Sequence, residues 1–148
     1  MVGLLLAASC YNGGESLDLD LAELERRELR AGDLVLIAWV ATEDNHHRKG
    51  LAIVEQDRLQ PGDDRRRPAM LYDLRDPALT PPPFQLRMQP MDIAILSRDG
   101  TVLTTTTLPR RPIVTEEAGY ILETLAGTWE AGGVGPGTRF AGVAEAPR

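Results

Sequence analysis

The sequence predicts a strand-dominated α+β domain: a curled, mainly antiparallel sheet or open barrel carrying one or two short helices. Three observations lead there. Residues 91–96 form an apolar run in which Ile93 and Ile95 alternate with Asp92, Ala94 and Leu96, the period-two pattern of a strand. Asp99-Gly100 follows, a dipeptide that accepts positive φ in a tight hairpin turn, and residues 101–108 then resume with Val102, Leu103 and a run of threonines. Residues 34–41 are so continuously apolar that they read as a buried strand.

The 148 residues suffice for one domain that buries roughly two thirds of its unfolded surface, without disulfide or metal staples. Taken in order, residues 1–10, MVGLLLAASC, set an apolar leucine run and small residues directly before a lone cysteine. This resembles the end of a bacterial lipoprotein signal, here shortened, with Cys10 as the lipidated first residue of the mature chain. A diacylglycerol plus an amide-linked acyl chain exceeds the two hydrophobic signals that stable anchoring needs. No basic residue precedes the run, whereas signal peptides carry one, so a frayed N-terminus or an apolar edge strand is the alternative. Ten residues are too few to span a bilayer. Residues 11–16, YNGGES, form a polar tether, and residues 17–148 are assigned to the globular domain.

Residues 25–30 are charged and helix-prone, yet a hairpin partner for 34–41 comes most cheaply from the segment just before the Ala31-Gly32-Asp33 turn. A strand is expected there, with a short helix as the alternative. His46 and His47 sit in a polar loop, where adjacent side chains diverge and make poor joint metal ligands. A second apolar segment starts at residues 50–54, a charged loop with Arg65, Arg66 and Arg67 follows, and residues 69–74 read as another strand. Pro81, Pro82 and Pro83 exclude regular structure. Past the hairpin, residues 109–119 form a loop and 120–125 a strand with Glu123 among apolar neighbours. Thr128 then caps a helical turn that Gly132-Gly133 stops. Pro136-Gly137 suits a type II turn, and residues 138–143 form the closing strand.

A net charge of −6 and a pI near 4.9 argue against a nucleic-acid partner, which usually calls for a net or clustered positive field. The arginine clusters lie beside prolines and acids, as solvated loops do. One cysteine excludes an internal disulfide and a cysteine-based zinc site. No nucleophile motif or phosphate-cradling loop is present, and Gly132-Gly133-Val134-Gly135 lacks the strand and long helix that a nucleotide site requires. No metal and no cofactor are implied.

Four local patterns, in order, resemble the domain-of-unknown-function 192 family of small bacterial and archaeal proteins. These are His47-Arg48-Lys49-Gly50-Leu51; Ala69-Met70-Leu71-Tyr72; Phe84-Gln85-Leu86-Arg87 with Pro90-Met91-Asp92-Ile93; and Tyr120-Ile121-Leu122-Glu123 with Ala126-Gly127 and the late Gly135-Pro136-Gly137-Thr138-Arg139-Phe140. Together they cover residues 33–143. The resemblance implies a compact, strand-dominated domain, often behind an export signal, and no settled activity. Gln85 stands where the family usually has tryptophan, and the span from Arg87 to Pro90 is shortened, so the central motif is altered here.

The candidate binding residues are Arg87, Asp92 and Glu123. Two carboxyls in one pocket can split their pKa values and act as acid and base, and Arg87 could hold an anionic or polar ligand through its fork of donors. The competing role for Asp92 and Glu123 is to accept hydrogen bonds that fix nearby loops. The expected function is therefore a non-catalytic, envelope-anchored accessory or binding domain, partnered by a small molecule or an envelope protein and touching the membrane only through Cys10. A small hydrolase-like enzyme using Asp92 and Glu123, and an intracellular interaction domain in the cytoplasm, are the alternatives.

Overall fold

The structure, a computed structural model, describes residues 24–43, 66–79, 81–82 and 90–144. Cys10, the tether, the histidine pair, the segment at residues 50–54 and Phe84-Gln85-Leu86-Arg87 all lie outside the described residues. Six strands and one short helix make up the rest: β1 (Arg26–Ala31), β2 (Leu34–Ala41), β3 (Arg66–Asp73), β4 (Met91–Ser97), β5 (Val102–Thr107), β6 (Ala118–Leu125) and α1 (Thr128–Gly132). They form a single open sheet in the order β1-β2-β3-β6-β4-β5. Every neighbouring pair is antiparallel except β2 and β3. The strand-dominated class is thus correct, and β1 resolves the competition between strand and helix in favour of the strand.

Both faces of this sheet are buried. On one face Met91, Ile93 and Ile95 of β4 pack with Met70, Tyr72 and Ile121. On the other, Ala94 and Leu96 pack with Leu36, Leu71 and Leu122, and are covered by Trp129, Phe140 and Val143 from the chain after β6. A strand with neighbours on both edges and cores on both faces cannot show polar alternation, which is why all of β4 up to Leu96 is buried.

Four local expectations need correction. The β4–β5 loop has three residues, not two: the Ser97 N–H donates to the Thr101 carbonyl at 2.8 Å and the Gly100 N–H to the Ser97 carbonyl at 3.0 Å. Gly100 takes φ 87, so one positive-φ residue closes the loop as a bulge. Arg66 and Arg67 begin β3 rather than filling a loop. Pro68 follows them without harm, since pairing with β6 starts only at Ala69 and its carbonyl accepts the Thr124 hydroxyl at 2.7 Å. Thr128 is not the helix cap; Gly127, at φ 89, holds that position with no side-chain cap of its own.

Finally, residues 138–143 form no full strand, only two isolated bridges, Thr101↔Arg139 and Arg30↔Ala141. The type II turn expected at Pro136-Gly137 is present: the Thr138 N–H donates to the Gly135 carbonyl at 3.0 Å, and Gly137 takes φ 90. The tail then runs from the β4–β5 loop to β1, tying the two ends of the curled sheet. Its passage over β1 depends on Gly142 at φ 92, where an added Cβ would lie 2.5 Å from the Glu28 carbonyl oxygen. Gly142→Ala is therefore expected to cost about 1–3 kcal/mol from backbone strain and clash, read as a lower urea midpoint at unchanged slope.

Candidate functional site

The only two buried carboxyl side chains among the described residues are those singled out from the sequence, Asp92 and Glu123. The register places them one position apart on adjacent strands, with Ile93↔Glu123 and Asp92↔Thr124 as the cross-strand pairs. That offset by one sends them to opposite faces of the sheet. Glu123 sits on the face of Met70 and Ile121 and accepts the Tyr72 hydroxyl at 3.2 Å. Asp92 sits on the face of Ala94 and Trp129. The structure does not bring the pair together, and no cleft is shared between them.

Asp92 is 2% exposed, and each of its oxygens has a donor. The Thr107 hydroxyl of β5 donates to Oδ1 at 2.6 Å, and the Trp129 backbone N–H donates to Oδ2 at 3.0 Å. The second bond supplies what Gly127 lacks, a side-chain acceptor for an otherwise orphaned N–H in the first turn of α1. Further support comes from Thr128, whose hydroxyl donates to the Leu125 carbonyl at 2.7 Å and accepts Arg67 Nη1 at 3.2 Å. One carboxyl thus fastens α1 to β4 and β5.

Above Asp92 lies an open groove of about 730 Å³. Its working surfaces are Thr105, Thr106 and Thr107 of β5, the turn carrying Arg110, and Trp129 and Glu130 of α1. The Trp129 ring packs at 59° against Phe140, 5.9 Å between centroids, so the helix side of the groove is braced from beneath. Apart from Asp92, sequence reasoning missed this site. A signal existed: successive threonines on a strand whose neighbours across the hairpin are apolar suggest a polar lining.

A second polar cluster stands where β3 meets β6. Arg75 donates to both oxygens of Asp73, through Nε at 3.0 Å and Nη2 at 2.7 Å, and its guanidinium carbon lies 5.2 Å from the Tyr120 ring centroid. Burial alone would push the pKa of Asp73 up, but the hydrogen bonds and charge of Arg75 outweigh it and hold the carboxyl below its usual 3.8. Burial pushes the Tyr120 phenol upward. No group of three or more potential metal ligands occurs among the described residues.

With this geometry in hand, comparison with known proteins is informative about fold alone. No family model matches the chain, and no curated protein resembles it in sequence. Among solved structures, it is similar to a candidate transcription regulator from Sinorhizobium meliloti, with TM-score 0.58 and 22% identity over 82% of this chain and 97% of that one. It is also similar to a protein of unknown function from Novosphingobium aromaticivorans, with TM-score 0.53 and 19% identity over 79% of this chain and 84% of that one.

Two measurements test the site. Asp92→Ala should cost about 1–3 kcal/mol, because it strands the Trp129 N–H, and Thr107→Val about 0.5–1.5 kcal/mol. The double variant should fall short of their sum by more than about 0.5 kcal/mol, since both break one constellation; strict additivity in urea melts would refute the shared brace. For Asp73, the depressed folded value means a stabilising contribution present above the usual 3.8 and lost as pH falls through the lower folded value. Asp73→Asn should accordingly flatten the acid limb of the stability curve, an effect visible in melting temperatures taken down the acid range.

Proposed function

We propose that this protein is a small, non-catalytic accessory domain of the bacterial cell envelope, anchored through lipid on Cys10, which takes its partner in the groove between β5 and α1. The observation that carries the non-catalytic part is the double engagement of Asp92. Its oxygens are committed to Thr107 and Trp129, and the second carboxyl that acid–base chemistry calls for lies across the sheet. Asp92 is then a brace for the groove walls, and the groove a preformed polar surface.

The anchoring part rests on the leucine run and small residues ahead of Cys10. No helix among the described residues is long and apolar enough to cross a membrane, and the lipid supplies the attachment in this reading. Kinship with the domain-of-unknown-function 192 family belongs to the same proposal. Its support is the order of the four motifs, two of which run side by side as Ala69–Tyr72 of β3 and Tyr120–Glu123 of β6, with Tyr72 opposite Ile121. The regulatory description of the Sinorhizobium meliloti neighbour is not carried over to a DNA-binding role, because a net charge of −6 opposes approach to a phosphate backbone.

Expressed from its own gene, the tagged protein should sediment with membranes and be released by detergent, and Cys10→Ala should move it out of that fraction. A membrane fraction indifferent to Cys10→Ala, or protein found wholly in the cytosol, would defeat the anchoring. For the groove, a melting-temperature screen against peptidoglycan fragments, sugars and peptides should find a ligand that adds about 2.7 kcal/mol at 100 times its Kd. That shift should vanish in Arg110→Ala.

A further inference from the structure

We propose that the outer edge of β5 receives an extended peptide segment of a partner protein, which joins the sheet as an added strand. This rests on the groove reading above and names the chemistry of its partner.

The hydrogen-bond phase of the β4–β5 ladder identifies the groups that do the work. The Leu108 N–H donates to the Met91 carbonyl at 2.9 Å, and the register pairs Asp92 with Thr107, Ile93 with Thr106 and Ala94 with Thr105. In an antiparallel ladder hydrogen-bonded and non-bonded pairs alternate. Thr106 therefore bonds toward β4, while Thr105 and Thr107 direct their backbone groups outward. The Thr107 carbonyl is taken by the Arg110 N–H at 3.1 Å. Of these two residues, the Thr105 N–H, the Thr105 carbonyl and the Thr107 N–H remain without a partner among the described residues. These follow one another along about 7 Å of strand, beside the groove and partly open to solvent.

The two edges of the sheet are treated differently. Edge strands left bare invite pairing, and proteins blunt them with charge, proline or cover. The tail touches both edges, at Arg30 of β1 through Ala141 with bonds of 3.1 and 2.8 Å and at Val102 of β5 through Thr138, so the difference lies in charge: β1 carries Arg26, Arg27, Glu28 and Arg30. β5 reads VLTTTT, without a charge or a proline, and is irregular only near the bulge between Ile95 and Leu96. High strand propensity and open backbone groups are what strand addition uses for affinity.

A second copy of this chain does not fit as well as a free segment. The open stretch is short and walled at both ends. At one end the Val102 N–H and carbonyl are bonded to Thr138 and Gly137 at 2.7 and 2.9 Å; at the other the chain turns through Pro109 and Arg110. Pairing β5 with β5 of another copy about a two-fold axis would bring each copy's walls against the other's. An extended segment brings none. Its composition follows from the lining: small or β-branched residues opposite Thr105, flanked by one acidic and one basic side chain. Arg110 and Glu130 line the groove, are exposed, and make no ion pair with each other or with other described residues.

The test is selection of displayed linear peptides on the full-length protein, followed by backbone N-methylation of a selected peptide. Methylation should weaken binding roughly tenfold at alternate residues and hardly at all between them, since only every second N–H meets β5. Thr105→Pro removes the outward donor without touching the β4 ladder; it should abolish binding, while Thr105→Val, which keeps the backbone, should retain it. Exchange of the Thr105 and Thr107 amides should slow in the complex. Equal binding by Thr105→Pro with a normal melting temperature, or N-methyl effects without a period of two, would overturn the strand-addition proposal. If saccharides shift the melting temperature and no peptide is enriched, the groove reading stands and this one falls. If nothing binds the groove, both fall. Concentration-dependent dimerisation that protects the Thr105 amide would assign the edge to a second copy and also overturn it.

Discussion

A carboxyl group removed from water must find donors for its oxygens or cost the fold several kcal/mol. Asp92 meets that requirement with two bonds to two different elements, and the local architecture follows from the pairing. The Thr107 bond fixes the last residue of β5 against β4. The Trp129 bond fixes the first turn of α1, a helix of five residues that is too short to hold itself together in isolation. Trp129 can then lie over the sheet and meet Phe140, so the covering layer on that face, and with it the wall of the groove, is built on one side chain.

This arrangement also explains why a glycine opens the helix. Gly127 enters at φ 89, a conformation that side chains rarely tolerate, so the chain gives up a local cap to make a sharp turn out of β6. The missing acceptor comes instead from Asp92, 37 residues from the Trp129 whose N–H it receives. Two local deficits, a glycine cap with no side chain and an aspartate among apolar residues, cancel only in three dimensions. The anomaly of Asp92 was visible in the sequence; the glycine cap was not, since Thr128 read as the capping residue. Nor was their mutual solution, because no local pattern relates β4 to the turn after β6.

The same distinction separates the rest of what could be read from what could not. Continuous apolar runs at residues 34–41, 91–96 and 120–125 identify strands because a buried strand needs nothing else. The threonine-rich run at 101–108 suits the half-wet edge position that β5 occupies. The face on which Glu123 lands depends on inter-strand register. A shift of one residue would have placed it beside Asp92; Ile93↔Glu123 decides otherwise. Arg66 and Arg67 read as loop because charges usually do. They are strand because β3 extends past the end of β6 and, among the described strands, pairs there with β2, and from this stretch Arg67 reaches Thr128. The tail forms bridges rather than a strand because it crosses between elements instead of running alongside one, and a crossing chain meets each neighbour at a single point.

Charge bears on how the groove edge coexists with solubility. Two copies, each at −6, repel at long range, and within a Debye length of about 8 Å in physiological salt that repulsion acts as the surfaces close. Repulsion of this kind leaves a neutral or mixed-charge segment unaffected while disfavouring self-encounter, so it protects a bare threonine edge without blocking it. Charges placed on β5 itself would have protected it more strongly, as on β1, but would also have turned away the strand proposed to add there. Placing them at the rim, as Arg110 and Glu130, and spreading the rest over the surface keeps the backbone groups of Thr105 and Thr107 available while still discouraging self-association. The groove floor contributes rigidity to the same end: with Asp92 engaged on both sides, β5 and α1 cannot drift together and shut the space between them.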